Sequence, residues 1–170
     1  MVVWIIGLSG AGKSILANEI ISKVNKIDNN KTILLDGDVI RNVFNNDLGY
    51  SKEDRFKNAQ IICELGKFLD SQGINVVTGI LSLFRENREW NRKNLKNYYE
   101  VFIDTPMKNL VKRDSKGIYK KFAEGQTVNV AGLDIPFSKP DKPDLIIENN
   151  NTKEYLLEHA DLIIEKAFTK

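Results

Sequence analysis

"VVWIIGLSGAGKS", residues 2–14, decides the fold. Val2 to Ile6 run without a polar break, the pattern of a strand buried on both faces. Gly7 to Ser14 then satisfy G-x-x-x-x-G-K-[ST], and an amphipathic stretch over residues 12–27 follows. Strand, glycine loop and helix in that order form the context in which this pattern cradles phosphate. Glycines at 7, 10 and 12 let the backbone N–H groups around Ser9, Gly10, Ala11 and Gly12 turn inward. The helix start, through Ile15, adds its dipole. Lys13 reaches the terminal phosphates and Ser14 offers a hydroxyl to magnesium. The expected donor is ATP, with Mg2+.

Outward from this loop the chain keeps one rhythm. Short apolar runs at 32–35, 74–78, 99–103 and 145–147 read as four more strands. Between them lie a "DNNK" turn at 28–31 and a short helix over 39–44. A helix capped by Ser51 runs to about Asp70, with Ile62, Leu65 and Leu69 on its apolar face. A charged helix falls within 84–96, Pro106 suits the first turn of another, and 153–168 closes the chain. Strands alternating with helices predict an α/β fold: a central parallel five-stranded sheet with helices on both faces, in the manner of P-loop NTPases. One region, about 114–143, breaks the rhythm. It is basic at its start and rich in turn residues at its end, and it reads as a lid insertion before the last strand. The 170 residues are the size of a single domain.

Composition narrows the field. Apolar residues make up 42% and charged residues 28%, an ordinary globular balance. Lys+Arg number 25 against 23 Asp+Glu, which says little about nucleic acid, and none is expected as a partner. The only cysteine, Cys63, and the only histidine, His159, sit in predicted helices and read as structural. No apolar run approaches the length of a membrane span, and the opening run is too short for a secretory leader, so no membrane partner is expected and the cytoplasm is the default. A guanine-reading Asn-Lys-x-Asp stretch is missing; "NNKT" at 29–32 lacks the acid.

"LLDGDVIRNVF", residues 34–44, places two carboxylates at the carboxyl end of the second strand. In a parallel sheet that edge faces the ligand. Carboxylates beside phosphate need assigned tasks. Asp36 is expected to position magnesium through its waters, and Asp38 to accept the proton of an attacking hydroxyl. The plain alternative for Asp38 is a cap on the helix that follows. Arg41, the pair Arg55 and Asn58, and the pair Arg85 and Arg88 are candidate grips for an anionic acceptor.

"GLSGAGKS", "LLDGDVIR", "DLGYSKEDRFKN", "SLFRENR", "VFIDTP", "KRDSKGIYKKFAEG", "AGLDIPF" and "KPDLII" resemble, in order and spacing, the motifs of the adenylylsulfate kinase family. The resemblance covers nearly the whole chain. It implies ATP-dependent transfer to the 3′-hydroxyl of a nucleotide with a modified 5′ end, with Asp38 as base and Asp36 assisting magnesium. Arg41, Arg55 and Asn58 match acceptor-binding positions, and Ser82 matches the serine of the acceptor loop. Lys116 matches the lid lysine, with Lys120 and Lys121 in the next helix. Arg113 falls where the donor adenine is covered, and a homodimer is the implied assembly. Departures cluster in the acceptor pocket. Tyr50 matches one aromatic wall, but Val130 stands where the family places a phenylalanine, and Leu83 replaces a proline. Gln60 and Ile61 stand in place of two arginines. This pattern resembles a relative of the family in bacterial capsule biosynthesis, which phosphorylates cytidine diphosphoramidate. A smaller pyrimidine and an uncharged amide end suit a trimmed, less basic pocket. Two readings stay open beside it: adenylylsulfate as acceptor, and a module that binds ATP without catalysis.

Overall fold

The computed structural model describes residues 1–27, 31–44, 48–150 and 152–168. Its elements in chain order are β1 (Val2–Ile6), α1 (Lys13–Ile27), β2 (Thr32–Asp36), α2 (Gly37–Val43), α3 (Lys52–Ser71), β3 (Asn75–Ile80), α4 (Arg85–Asn94), β4 (Tyr98–Asp104), α5 (Met107–Arg113), α6 (Ile118–Ala123), β5 (Leu145–Glu148) and α7 (Lys153–Phe168). All strand pairings are parallel, in the order β2-β3-β1-β4-β5. The expected α/β sheet is therefore present. The turn expected at 28–31 falls mostly outside the described residues.

The apolar run of β1 is explained by its central place. All five of its residues are fully buried, and they alternate between two cores. Val3 and Ile5 join Leu16, Ile20, Ile147 and Ile163, beneath α1 and α7. Val2, Trp4 and Ile6 join Ile62, Cys63 and Leu95, beneath α3 and its neighbours. A strand with a core on each side cannot alternate polar and apolar residues. Cys63 is buried, and burial pushes its thiol up to about 12, so it packs as an inert apolar group. His159 donates from Nδ1 to the Tyr155 carbonyl and its ring meets the Tyr155 ring edge-on, as expected of a structural histidine.

Where β2 meets α2, two boundaries differ from the sequence expectation for one reason. β2 runs on through Asp36, and α2 begins at Gly37 rather than Val39. Asp36, not Asp38, is the cap: its carboxylate accepts from the N–H groups of Asp38 and Val39. Strand therefore passes into helix without a loop between them. Ser51 caps α3 as expected, accepting from the Asp54 N–H.

Candidate active site

The phosphate loop is clamped from two sides. The Asn149 side-chain amide, at the end of β5, donates to the Ala11 carbonyl at 2.9 Å. The Tyr119 hydroxyl of α6 donates to the Ser9 carbonyl, also at 2.9 Å. Gly12 has φ +97°, a conformation that costs an L side chain strain, and a Cβ there would overlap Leu156 of α7. Gly7 lies against Ala11 and the Ile103 carbonyl, and Gly10 is also at positive φ. The loop is thus held in the turned shape that aims N–H groups at an anion.

Lys13 emerges from this loop, and its ammonium donates to the Leu8 carbonyl at 2.9 Å. Burial first, then the nearby charge of Lys116, lowers its pKa to about 8. A cation made costly by burial and by a second cation is a fit for phosphate oxygens, which would offset both. Next to it, Ser14 Oγ donates to Asp36 Oδ2 at 3.2 Å. Each Asp36 oxygen thus has its own partner: Oδ1 caps α2 and Oδ2 meets the loop serine. A hydroxyl and a carboxylate are hard oxygen donors of the kind Mg2+ takes. Among the described residues no cluster of three or more His, Cys, Asp or Glu forms a metal cage. Ser14 and Asp36 would hold such an ion only together with other oxygen donors.

Beside the loop lies a cavity of about 410 Å³. Lys13, Ser14, Asp36 and Asp38 line one part of it; Arg41, Tyr50, Arg55, Asn58, Ser82, Leu83, Lys116 and Val130 line the rest. All eight residues expected at the acceptor thus meet in one cavity. Asp38 Oδ2 accepts from Lys116 at 2.6 Å across 78 positions of sequence. Burial pushes the Asp38 carboxyl up, but Lys116, Arg41 and Lys13 outweigh it and hold it below the usual carboxylate range. The same pair raises the Lys116 ammonium, chiefly through its hydrogen bond to Asp38.

The arginines divide by task. Arg41 is buried and donates to the Gly37 and Gly49 carbonyls, both at 3.3 Å. Arg55 donates to the Tyr50 and Asn129 carbonyls. Both guanidinium groups lie over the Tyr50 ring, at 4.9 and 5.2 Å from its centroid. Asn58 turns its amide nitrogen to the Gly37 carbonyl, and its buried Oδ1 has no partner among the described residues. Arg85 and Arg88, in contrast, do not line the cavity. Arg85 pairs with Glu89 and Asp141 on the surface. Arg88 is buried and donates to the Ser82 carbonyl at 2.6 Å. The expectation that they grip an acceptor is corrected: their charge serves local structure.

Ser82 has φ +50°, and its hydroxyl accepts from the Trp4 indole at 3.1 Å. Leu83 packs with Ala131 and Ile135. Gly7, Gly10, Ala11, Gly12, Ile15 and Arg113 lie outside the cavity lining. Arg113 reaches the Asn149 carbonyl, on the β5 side of the loop. Lys121 lines the cavity, whereas Lys120 is exposed and faces Glu124. Sequence reasoning missed Ile62, Ile80, Leu81, Phe84, Thr127 and Val128 of the lining. The run 127–131 carries no charged residue to mark it; its one visible signal was the neighbouring "AGLDIPF" motif.

Comparison with known proteins identifies the family. A model of the adenylylsulphate kinase family matches residues 1–148. The chain belongs to the adenylylsulfate kinase family. It is 38% identical to a cytidine diphosphoramidate kinase of Campylobacter jejuni, over 97% of this chain and 95% of that one. It is 40% identical to an adenylyl-sulfate kinase of Clostridium acetobutylicum, over 95% and 85%. The structure of an APS kinase from Mycobacterium tuberculosis, in complex with AMPPNP and APS, superposes with a TM-score of 0.87 at 33% identity, covering 96% of this chain and 95% of that one. This adenylylsulfate kinase family member is an ATP-dependent phosphotransferase with a P-loop kinase fold. Among the described residues no helix is long and apolar enough to cross a membrane.

Proposed function

We propose that this kinase transfers the terminal phosphoryl group of ATP to the 3′-hydroxyl of a 5′-modified nucleotide, with cytidine diphosphoramidate as the favoured acceptor. The observation that carries the reading is that Asp38 lines one cavity with Lys13 and Ser14 of the phosphate loop, with Lys116 on its carboxylate at 2.6 Å. Asp38 takes the proton of the attacking hydroxyl as the new O–P bond forms and the bond to the diphosphate breaks. Lys13 and Lys116 hold the charge that spreads over the transferred group. Ser14 and Asp36 would hold Mg2+, which supplies further charge neutralisation there. Arg113 would cover the donor adenine, and residues 114–143 would serve as the lid of a single-domain enzyme.

Acceptor choice rests on the far wall. Val130 and Leu83 are buried aliphatic residues there, and Tyr50 is the one ring on the lining besides Phe84. Losing a second stacking ring forfeits about 1–3 kcal/mol for a purine, and less for a smaller base. The relative from Campylobacter jejuni supports the pyrimidine reading. Adenylylsulfate is the second reading, supported by the relative from Clostridium acetobutylicum. A homodimer working in the cytoplasm, where ATP is available, completes the proposal. Phosphorus NMR of the product tests it. With cytidine diphosphoramidate and Mg–ATP, a new phosphomonoester signal coupled to the ribose H3′ is expected. A signal coupled to another carbon's proton, or inorganic phosphate alone, refutes it.

A further inference from the structure

Val130 sits on a turn that is bonded to itself. Its carbonyl accepts from the N–H groups of Leu133 and Ile135, at 3.1 and 3.2 Å. The Gly132 N–H donates to the Ile135 carbonyl at 2.8 Å. Asn129 stands at φ +63°, a left-handed conformation that asparagine adopts more readily than most side chains. Asp134 bonds this turn from one side. Its Oδ2 accepts from the Asn129 N–H at 2.6 Å, and its Oδ1 from the Val130 N–H. These are charge-assisted bonds, stronger than the amide–amide bonds around them. From the other side, Arg55 of α3 donates to the Asn129 carbonyl at 2.7 Å and to the Tyr50 carbonyl at 2.9 Å. The turn carrying Val130 and the segment carrying Tyr50 therefore hang on one guanidinium.

Asp134 itself is exposed, joins neither core and does not line the cavity. Its carboxylate is spent on two amides, and those amides belong to residues that do line the cavity. We propose that Asp134 is the positioning residue of the acceptor wall: by fixing the Asn129 and Val130 amides it sets where Val130 meets the acceptor base, and so sets acceptor affinity and choice. This rests on the reading that the cavity takes the nucleotide acceptor. A wall fixed in advance selects by shape; a wall free to shift admits either base.

The test compares wild type, Asp134→Ala and Asp134→Asn in steady-state kinetics with ATP, cytidine diphosphoramidate and adenylylsulfate. Alanine is expected to raise the KM for the preferred acceptor about tenfold, as a displaced wall does, to leave the KM for ATP unchanged and to narrow the preference between acceptors. Asparagine keeps an oxygen for one amide and is expected to recover part of the loss; it also serves if the alanine variant folds poorly. Hydrogen exchange of the Asn129 and Val130 amides gives a readout free of activity, with protection lost in the alanine variant. An unchanged acceptor KM in both variants overturns the proposal, as does full amide protection in the alanine variant. Wild type that phosphorylates neither acceptor defeats instead the reading of the cavity on which the proposal stands.

Discussion

Asp38 and Lys13 both hold states set by their neighbours, and each state has a measurable consequence. Asp38 is kept ionised by Lys116, Arg41 and Lys13 against the cost of its burial. An ionised carboxylate is ready to take a proton, the task proposed for Asp38. Asp38→Asn keeps the shape and removes the base. Transfer is expected to fall about 10²–10⁴-fold, with ATP affinity little changed, in a coupled ADP-release assay beside nucleotide titration. Full activity in that variant removes Asp38 from the mechanism. Lys13, with its pKa lowered to about 8, carries a pH signature of known sign. Below that pH it is charged in both folded and unfolded chains, and the folded state bears the penalty. Stability gains as pH rises from 8 toward the ordinary lysine value, because the unfolded chain then holds more protons. Nucleotide binding runs the other way, since phosphate favours the ammonium. The Kd for a fluorescent ATP analogue is expected to stay flat up to about pH 8 and then rise, approaching tenfold per unit. A flat profile through about pH 9.5 contradicts this account of Lys13.

At the scale of elements, the passage from β2 to α2 joins fold and chemistry in one side chain. Asp36 caps the helix with one oxygen and meets Ser14 with the other. Two substitutions separate these tasks. Asparagine caps nearly as well as aspartate, so Asp36→Asn is expected to keep stability while raising the Mg2+ concentration needed for activity. Asp36→Ala loses both and costs about 1 kcal/mol in urea unfolding. Equal Mg2+ dependence in wild type and the asparagine variant would detach Asp36 from the metal. β1 was legible because it runs apolar between two cores, and the other strands because each carries a short apolar run. The phosphate loop was legible too, because glycine spacing and chemistry coincide there. The start of α2 was missed because Asp-Gly-Asp reads as a turn until the strand is seen to pass straight into its cap. The arginines were legible as charges but not as partners. Arg88 is absorbed by a carbonyl six residues away, and Arg55 by one 74 residues away, a distance that no local spacing encodes. Asp134 was hidden for the same reason: its partners are backbone amides, which carry no sequence signal.

Taken as a whole, the molecule sets a rigid phosphate site against an acceptor cavity assembled from distant segments. β1 is buried, and the loop after it is clamped by Asn149 after β5 and Tyr119 of α6. The cavity is closed by α2, α3, the turn after β3, and the stretch from Lys116 to Ala131. Under the proposed function the phosphate loop, with Asp38 and Lys116, serves phosphoryl transfer, and Tyr50, Leu83 and Val130 set the acceptor. That separation explains how a family keeps one reaction while its members differ in acceptor. The ratio of kcat/KM for cytidine diphosphoramidate to that for adenylylsulfate, with saturating Mg–ATP, measures the division directly. With Val130 and Leu83 on the wall, a ratio above about five is expected, the low end of what one lost stacking ring is worth. A ratio below one would contradict the account and make adenylylsulfate the acceptor.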